Sequence, residues 1–206
     1  MSSTGALTKG VGFNHVKAFA QSRWGPEGWT ALLGKLRSTD RDAIAEAVPI
    51  GWYPLALYVR LIHALDEVHG AGDLGLVVQL GRFEAERDIT TIYRIMFRLM
   101  SPATVVEKTT DYWRKFHDTG TWEMQRVGNS EIQGALSGWG VVDHALCREL
   151  VGYFSRVLEL VGAQNVIVEH PECRARGYAR CLFRGRWGAT AANSVDSSSR
   201  KTSEKT

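Results

Sequence analysis

A change of hydrophobic period near Gly120 decides what this chain can fold into. Before it, apolar residues recur every three to four positions. Leu55, Tyr58, Leu61, Ile62, Leu65 and Val68 form one such stripe, the spacing of a helix with one buried face. After it, Trp122 and Met124, then Ile132, Gly134 and Leu136, sit at every second position, which is the spacing of strands with one buried face. A chain that switches once between the two periods segregates helices from sheet, so the expected class is α+β.

Punctuation residues divide the two halves. Ser38-Thr39-Asp40 can cap a short helix through Ala47, which Pro49 stops. Gly51-Trp52-Tyr53-Pro54 is expected to open a longer helix, with Pro54 in its first turn and Gly70 at its end. Further helices are expected over 73–87, around Ile89, Ile92, Met96 and Leu99, and from Ser101-Pro102 through Val105, Thr109, Tyr112, Trp113 and Phe116. Gly128-Asn129 reads as a two-residue hairpin turn. A long helix over 141–161 carries Cys147, Val151, Phe154 and Leu158 on one stripe, and strands are expected at 166–168 and 179–187. The architecture that follows is an N-terminal helical layer packed on a four-stranded antiparallel sheet, with a strand-strand-helix-strand-strand C-terminal unit. One domain is expected over 13–187, between a flexible N-terminus (1–12) and a Ser/Thr-rich disordered tail (188–206).

The chain has 206 residues and is 44% hydrophobic, enough for one core. Its net charge of +3, from 25 basic and 22 acidic residues, gives no argument for nucleic acid. Met1 to Gly12 lack an apolar signal region, and no apolar run is long enough to span a bilayer, so a cytoplasmic protein is expected. Nucleophile-elbow, phosphate-loop, zinc-protease and dinucleotide motifs are missing from the sequence. Asp40, Asp42 and Glu46 read as a solvated helix face, and His63 as a core histidine. His144, one turn before Cys147, leaves a cysteine–histidine nucleophile open, although no orienting group or oxyanion site marks it. The expected role is therefore non-enzymatic. Arg180, Arg184 and Arg186 alternate with Cys181, Phe183 and Trp187, giving a basic sheet face, either solvated or a patch for an acidic partner or a phosphate group.

All three cysteines, Cys147, Cys173 and Cys181, fall in the last third of the chain. An odd, small number speaks against a disulfide scaffold. Cys173 and Cys181 flank the connection of the last two strands, and Cys147 lies on the helix that must pack there. The three thiols either share a metal, with His170, Glu169 or Glu172 as nearby fourth ligands, or are three small buried hydrophobes.

The run Cys173-Arg174-Ala175-Arg176-Gly177-Tyr178-Ala179-Arg180-Cys181, with Cys147 and Gly152-Tyr153-Phe154-Ser155 upstream, resembles the 4-vinyl-reductase-type domain. That family includes the small-molecule-binding modules of aromatic-sensing transcriptional regulators. The resemblance implies a structural zinc held by Cys147, Cys173 and Cys181. A glutamate of the family, three residues before the second cysteine, is replaced here by His170, so Glu169, Glu172 or water remain as alternatives. Gly51-Trp52-Tyr53-Pro54-Leu55 and Leu80-Gly81-Arg82-Phe83-Glu84-Ala85-Glu86 resemble an uncharacterised paralogous family of myxobacteria and relatives. The implied fold is shared with haem-NO-binding sensors and transport-complex subunits. The haem sensors carry a Tyr-x-Ser-x-Arg motif. Tyr153-Phe154-Ser155-Arg156 places the arginine one residue early, and none of the six histidines (His15, His63, His69, His117, His144, His170) sits in an evident proximal motif.

Aromatic residues of both halves (Trp52, Tyr53, Tyr58, Phe83, Tyr93, Phe97, Trp113, Trp122, Trp139) are expected either in the core or around a pocket between helices and sheet. Trp122 and Met124 are the leading pocket-lining candidates. The expected function is a non-enzymatic sensor or regulatory domain with structural zinc and a small hydrophobic or aromatic ligand. It would act as a homodimer or through a signalling partner. An assembly scaffold and a haem-based gas sensor are the alternatives.

Overall fold

The structure is a computed structural model that describes residues 5–89 and 109–188. Strand β1 (Leu7–Lys9) leads into helix α1 (Val11–Gly34), followed by α2 (Ser38–Ala45), strand β2 (Trp52–Pro54), α3 (Leu55–His69), α4 (Gly75–Asp88) and α5 (Thr109–Phe116). The C-terminal unit comprises β3 (Thr121–Gly128), β4 (Glu131–Ser137), α6 (His144–Leu160), β5 (Gln164–Glu172), a 3-10 turn (Arg174–Arg176) and β6 (Cys181–Gly188). The sheet order is β3-β4-β6-β5, antiparallel throughout. The α+β expectation and its strand-strand-helix-strand-strand unit hold.

Three local expectations are corrected. Trp52–Pro54 does not open a helix: it is a strand paired with Leu7–Lys9, and Pro54 caps α3 from outside. Residues 7–9 are consequently part of the fold, not a flexible arm. The turn of the β3–β4 hairpin is Asn129-Ser130, one residue late, because the register shifts between Arg126 and Gly128. The expected elements at Ile92 to Val105, and all of the expected tail after Gly188, lie outside the described residues.

The helical stripe does what its period requires. Leu55, Tyr58, Leu61, Ile62 and Leu65 are all buried in the main core, with Phe13 and Phe19 of α1 and Leu80 of α4. α6 lies between this layer and the sheet. Its Asp143 cap accepts the amide of Ala145, satisfying one orphan N–H of the first turn. His63, expected in the core, has its side chain 40% exposed and meets the same Asp143 at 3.0 Å.

Two glycines fix how α4 and α6 cross. A Cβ on Gly81 would stand 2.0 Å from the carbonyl oxygen of Glu149, and one on Gly152 would stand 2.0 Å from that of Val78. Each helix thus presses a bare backbone surface against the other. This closeness brings Glu84 of α4 beside Glu149 of α6.

Candidate functional site

The three cysteines converge as the sequence suggests. Cys147, Cys173 and Cys181 are buried free thiols. With His170 they place one ligand atom each within 4.8 Å of one another. The sulfurs of Cys147 and Cys181 are 3.5 Å apart, and those of Cys147 and Cys173 are 4.0 Å apart. A tetrahedral ion with sulfur at about 2.3 Å would hold two sulfurs about 3.8 Å apart, so the spacing suits such an ion.

A β-bulge makes the fourth position work. His170 and Cys173 are an odd number of residues apart, so a regular strand would send them to opposite faces. Between Glu169 and Glu172, β5 carries one residue more than β6 opposite it. That extra residue shifts the phase, as bulges do, and both side chains turn inward. The His170 ring stacks on Phe183 at 4.4 Å, and both its buried nitrogens lack a hydrogen-bond partner among the described residues. Such orphaned groups are costly unless something fills them. The competing carboxylates point elsewhere: Glu169 pairs with Arg186 and Glu172 with Arg180.

The thiols share protons unevenly. The hydrogen bond from Cys147, then the His170 imidazole and the Arg174 amide, lower Cys181 to about 4, while the same bond and burial push Cys147 up. His144 Nδ1 lies 3.6 Å from Cys173 Sγ, not beside Cys147, so the open cysteine–histidine pair does not form as expected. The basic strand face is also modified: Arg180 and Arg186 are held by the carboxylates just named, in exposed ion pairs.

A cavity of about 390 Å³ lies between helices and sheet, bordered by Tyr58, Trp113, Trp122, Met124, Trp139 and Phe154 among others. Trp122 and Met124 are where the sequence places them. Trp52 is not: it is 42% exposed, under the ammonium of Lys9. Tyr53 and Phe83 pack on Phe13 and Phe19 instead, and Tyr93 and Phe97 lie outside the described residues.

One wall of the cavity has no counterpart in the sequence reading. Glu84 and Asp88 of α4, Glu149 and Tyr153 of α6, Tyr58 of α3 and His15 of α1 all border it. The Tyr58 hydroxyl lies 2.6 Å from Glu149 Oε1 and 3.0 Å from Glu84 Oε1. A hydroxyl has one hydrogen to give. It donates to Glu149 and receives a proton from a protonated Glu84, whose affinity burial raises well above the usual carboxylate range. Tyr153 donates to Asp88 at 3.1 Å, and burial pushes Asp88 up to about 6. His15 stands 3.6 Å from Asp88 and is lowered to about 4, chiefly by burial, so it is neutral near pH 7. The sequence signal for this wall is a pair of acids four apart on an otherwise buried face of α4.

Comparison with known proteins places these features. Residues 133–186 match the family model of the 4-vinyl-reductase domain. That segment contains Cys147, His170, Cys173 and Cys181. The whole fold is that of the H-NOX proteins. An H-NOX protein from S. oneidensis in the Fe(II)NO ligation state matches with a TM-score of 0.69 and 17% identity, over 88% of this chain and 99% of its own. The Fe(II) unliganded H-NOX protein from K. algicida matches at 0.68 and 10%, over 89% and 98%. The IWP-051-bound H-NOX from Shewanella woodyi, in the Fe(II)CO state, matches at 0.64 and 14%, over 88% and 95%. No curated protein sequence matches the chain. Among the described residues no helix is long and apolar enough to cross a membrane.

Proposed function

We propose that this protein is a non-enzymatic regulatory domain that binds a small, largely apolar molecule in the cavity between its helical layer and its sheet. The observation that carries the reading is the cavity itself. Its volume falls within the range of about 300–1,000 Å³ usual for small-molecule sites, and its walls are mostly aromatic and aliphatic, with a few placed polar groups. An assembly-only role would be served better by a filled core. The 4-vinyl-reductase segment supports the same reading, since it contributes α6, β5 and β6, which wall the cavity opposite the helices.

Zinc is the second part of the proposal. Cys147, His170, Cys173 and Cys181 would hold it, and it would tie α6 to the ends of β5 and β6. The soft donor set, the sulfur spacing and the orphaned His170 ring fit the ion. The ion's role is structural: it fixes the relative position of the cavity's floor and the helix that bears Glu149. Ligand binding would then shift the helical layer against a stiff sheet, and a second copy or a partner protein would read the shift. Free buried thiols suit a reducing compartment, so this reading takes the cytoplasm as its location.

Haem, named for the H-NOX family, does not fit these residues. Arg156 is occupied by Glu86 and Glu159, both at 2.8 Å. Tyr153 gives its proton to Asp88, and Ser155 to the carbonyl of Val151. The motif therefore offers nothing to the two carboxylates of a haem, and the wall beside it adds three more carboxyls. Both nitrogens of His15 face Glu84 and Asp88.

Elemental analysis, an absorbance spectrum and a thermal-shift panel test the proposal together. Expected are about one zinc per chain, no Soret band, and stabilisation by small aromatic compounds. A ligand at about 100 times its Kd adds about 2.7 kcal/mol. A Soret band in freshly purified protein overturns the reading in favour of haem; absence of zinc overturns the metal site alone.

A further inference from the structure

Most other buried or half-buried acids in the described residues have a fixed partner. Asp40 is held by Arg60, Glu159 by Arg82 and Arg156, and Asp66 caps the amide of Leu74. The three carboxyls of the cavity differ. Among the described residues no lysine or arginine forms an ion pair with Glu84, Asp88 or Glu149; their basic neighbour in contact is His15, held neutral by burial. Each element packed there presents a polar group to this wall: α1 gives His15, α3 gives Tyr58, α4 gives Glu84 and Asp88, and α6 gives Glu149 and Tyr153. The guanidinium of Arg87 acts on Asp88 and His15 from a distance and lies over the ring of Phe83.

Buried carboxyls without a counterion are expensive, and the resting protein limits the cost by keeping protons on them. A protein that needed only a stable helix crossing would put leucine there. The same cavity has a second set of unmet polar atoms. The indole Nε1 of Trp139, a residue 4% exposed, and Nδ1 of His117 are buried and have no hydrogen-bond partner among the described residues, and both residues border the cavity. They lie on a different wall, next to Trp113. The site thus offers acceptors with negative charge at one place, a donor at another, and aromatic faces between.

We propose that the cavity's ligand is a small aromatic amine, its ammonium group received by Glu84, Asp88 and Glu149 and an oxygen at its far end by the indole N–H of Trp139. The inference rests on the reading of the cavity as a ligand site and names the ligand's class. Binding is a proton exchange as well as an association. The incoming ammonium supplies the positive charge that the protons supplied before, so a carboxyl proton leaves to solvent as the amine enters. A neutral ligand of the same shape leaves those protons in place. The aromatic body meets Trp122 and Phe154, where ring-on-ring contact replaces water.

Four probes of one shape test this: tyramine, para-ethylphenol without the nitrogen, phenethylamine without the oxygen, and para-hydroxyphenylpropionate with a carboxylate in place of the amine. Calorimetry on the full chain, run in two buffers of different ionisation enthalpy, gives affinity and proton release together. Tyramine is expected to bind at least tenfold more tightly than para-ethylphenol, to release a proton, and to tighten as pH rises from 5 to 8. Phenethylamine is expected to bind more weakly than tyramine while still releasing the proton. The carboxylate probe is expected not to bind. Glu149→Gln and Asp88→Asn keep the shape of the wall, and each is expected to bring tyramine down toward para-ethylphenol while leaving para-ethylphenol unchanged. Equal or tighter binding of para-ethylphenol or of the carboxylate probe overturns the amine assignment and leaves the cavity as a ligand site. Failure of all four probes to bind overturns both.

Discussion

Replacing Gly152 by alanine adds one methyl group at the tightest point of the fold. The new Cβ would lie 2.0 Å from the carbonyl oxygen of Val78, and ordinary contact begins at 3.4 Å. The helices must therefore part by about 1.4 Å along that line, because backbone on one side and a carbonyl on the other leave no flexible side chain to yield. Overpacking of this kind costs up to about 3 kcal/mol. Alanine returns roughly 1 kcal/mol through its better helix propensity. The net expectation is a loss of about 2 kcal/mol, or a fall in Tm of roughly 4–8 °C for a chain of this size. Urea unfolding followed by circular dichroism reads the loss directly, as a lower midpoint at unchanged slope. Gly81→Ala should behave alike, and the double variant should cost less than the sum, since the second methyl enters a gap the first has opened. A Gly152→Ala protein as stable as wild type, or more so, would refute the claim that α4 and α6 touch backbone to backbone.

Other perturbations separate the remaining interactions. Cys181→Ser should lower metal content and stability together; with on the order of 10 kcal/mol of apparent binding energy spread over four ligands, roughly 2–3 kcal/mol goes with one, and a chelator should remove the difference between variant and wild type. Burial lowers His117 to about 3 from its usual 6.5, so the unfolded chain takes up this proton first and the stabilisation present above pH 6.5 drains away as pH falls toward 3. At pH 5 the loss is about 2 kcal/mol, and His117→Asn should flatten that part of the stability curve measured by urea titration. Tyr58→Phe removes the hydroxyl between Glu84 and Glu149 and should cost about 1–3 kcal/mol in the same assay. Arg186→Ala should cost under about 1 kcal/mol, because its pair with Glu169 is half exposed; a larger effect would show the strand face to be more than a solvated surface.

The sheet, its order of elements and three of the four clustered side chains were legible because they rest on local period and on cysteine placement. His170 was legible only as one of several neighbours. What selects it is the bulge between Glu169 and Glu172, and a bulge is a mismatch between two strands that no single strand records. The helical half was read well wherever one face is buried, as along Leu55 to Leu65. It was misread at Trp52–Pro54, where a proline and two aromatics look like a helix start but pair with Leu7–Lys9, far earlier in the chain. The carboxyl wall was invisible for a related reason. Glu84 and Asp88 on α4, Glu149 on α6 and His15 on α1 each look like ordinary surface charge in their own segment. Only the Gly81 and Gly152 crossing sets two of those segments close enough for the charges to meet.

The smallest strand has a kinetic consequence. β1 is three residues long, yet it pairs with β2 on one side, meets His117 through Thr8 on another, and receives the amide of Asp118 at the carbonyl of Leu7. Thr8 and Lys9 also border the cavity. Short pairings open far more often than whole domains unfold. Of the described walls, β1 is the one whose opening breaks the fewest bonds, so the rate at which a bound molecule leaves would be set by the fraying of one short strand and not by the stability of the domain. Residence time and thermal stability would then vary independently, and hydrogen exchange at the β1 amides would report the first.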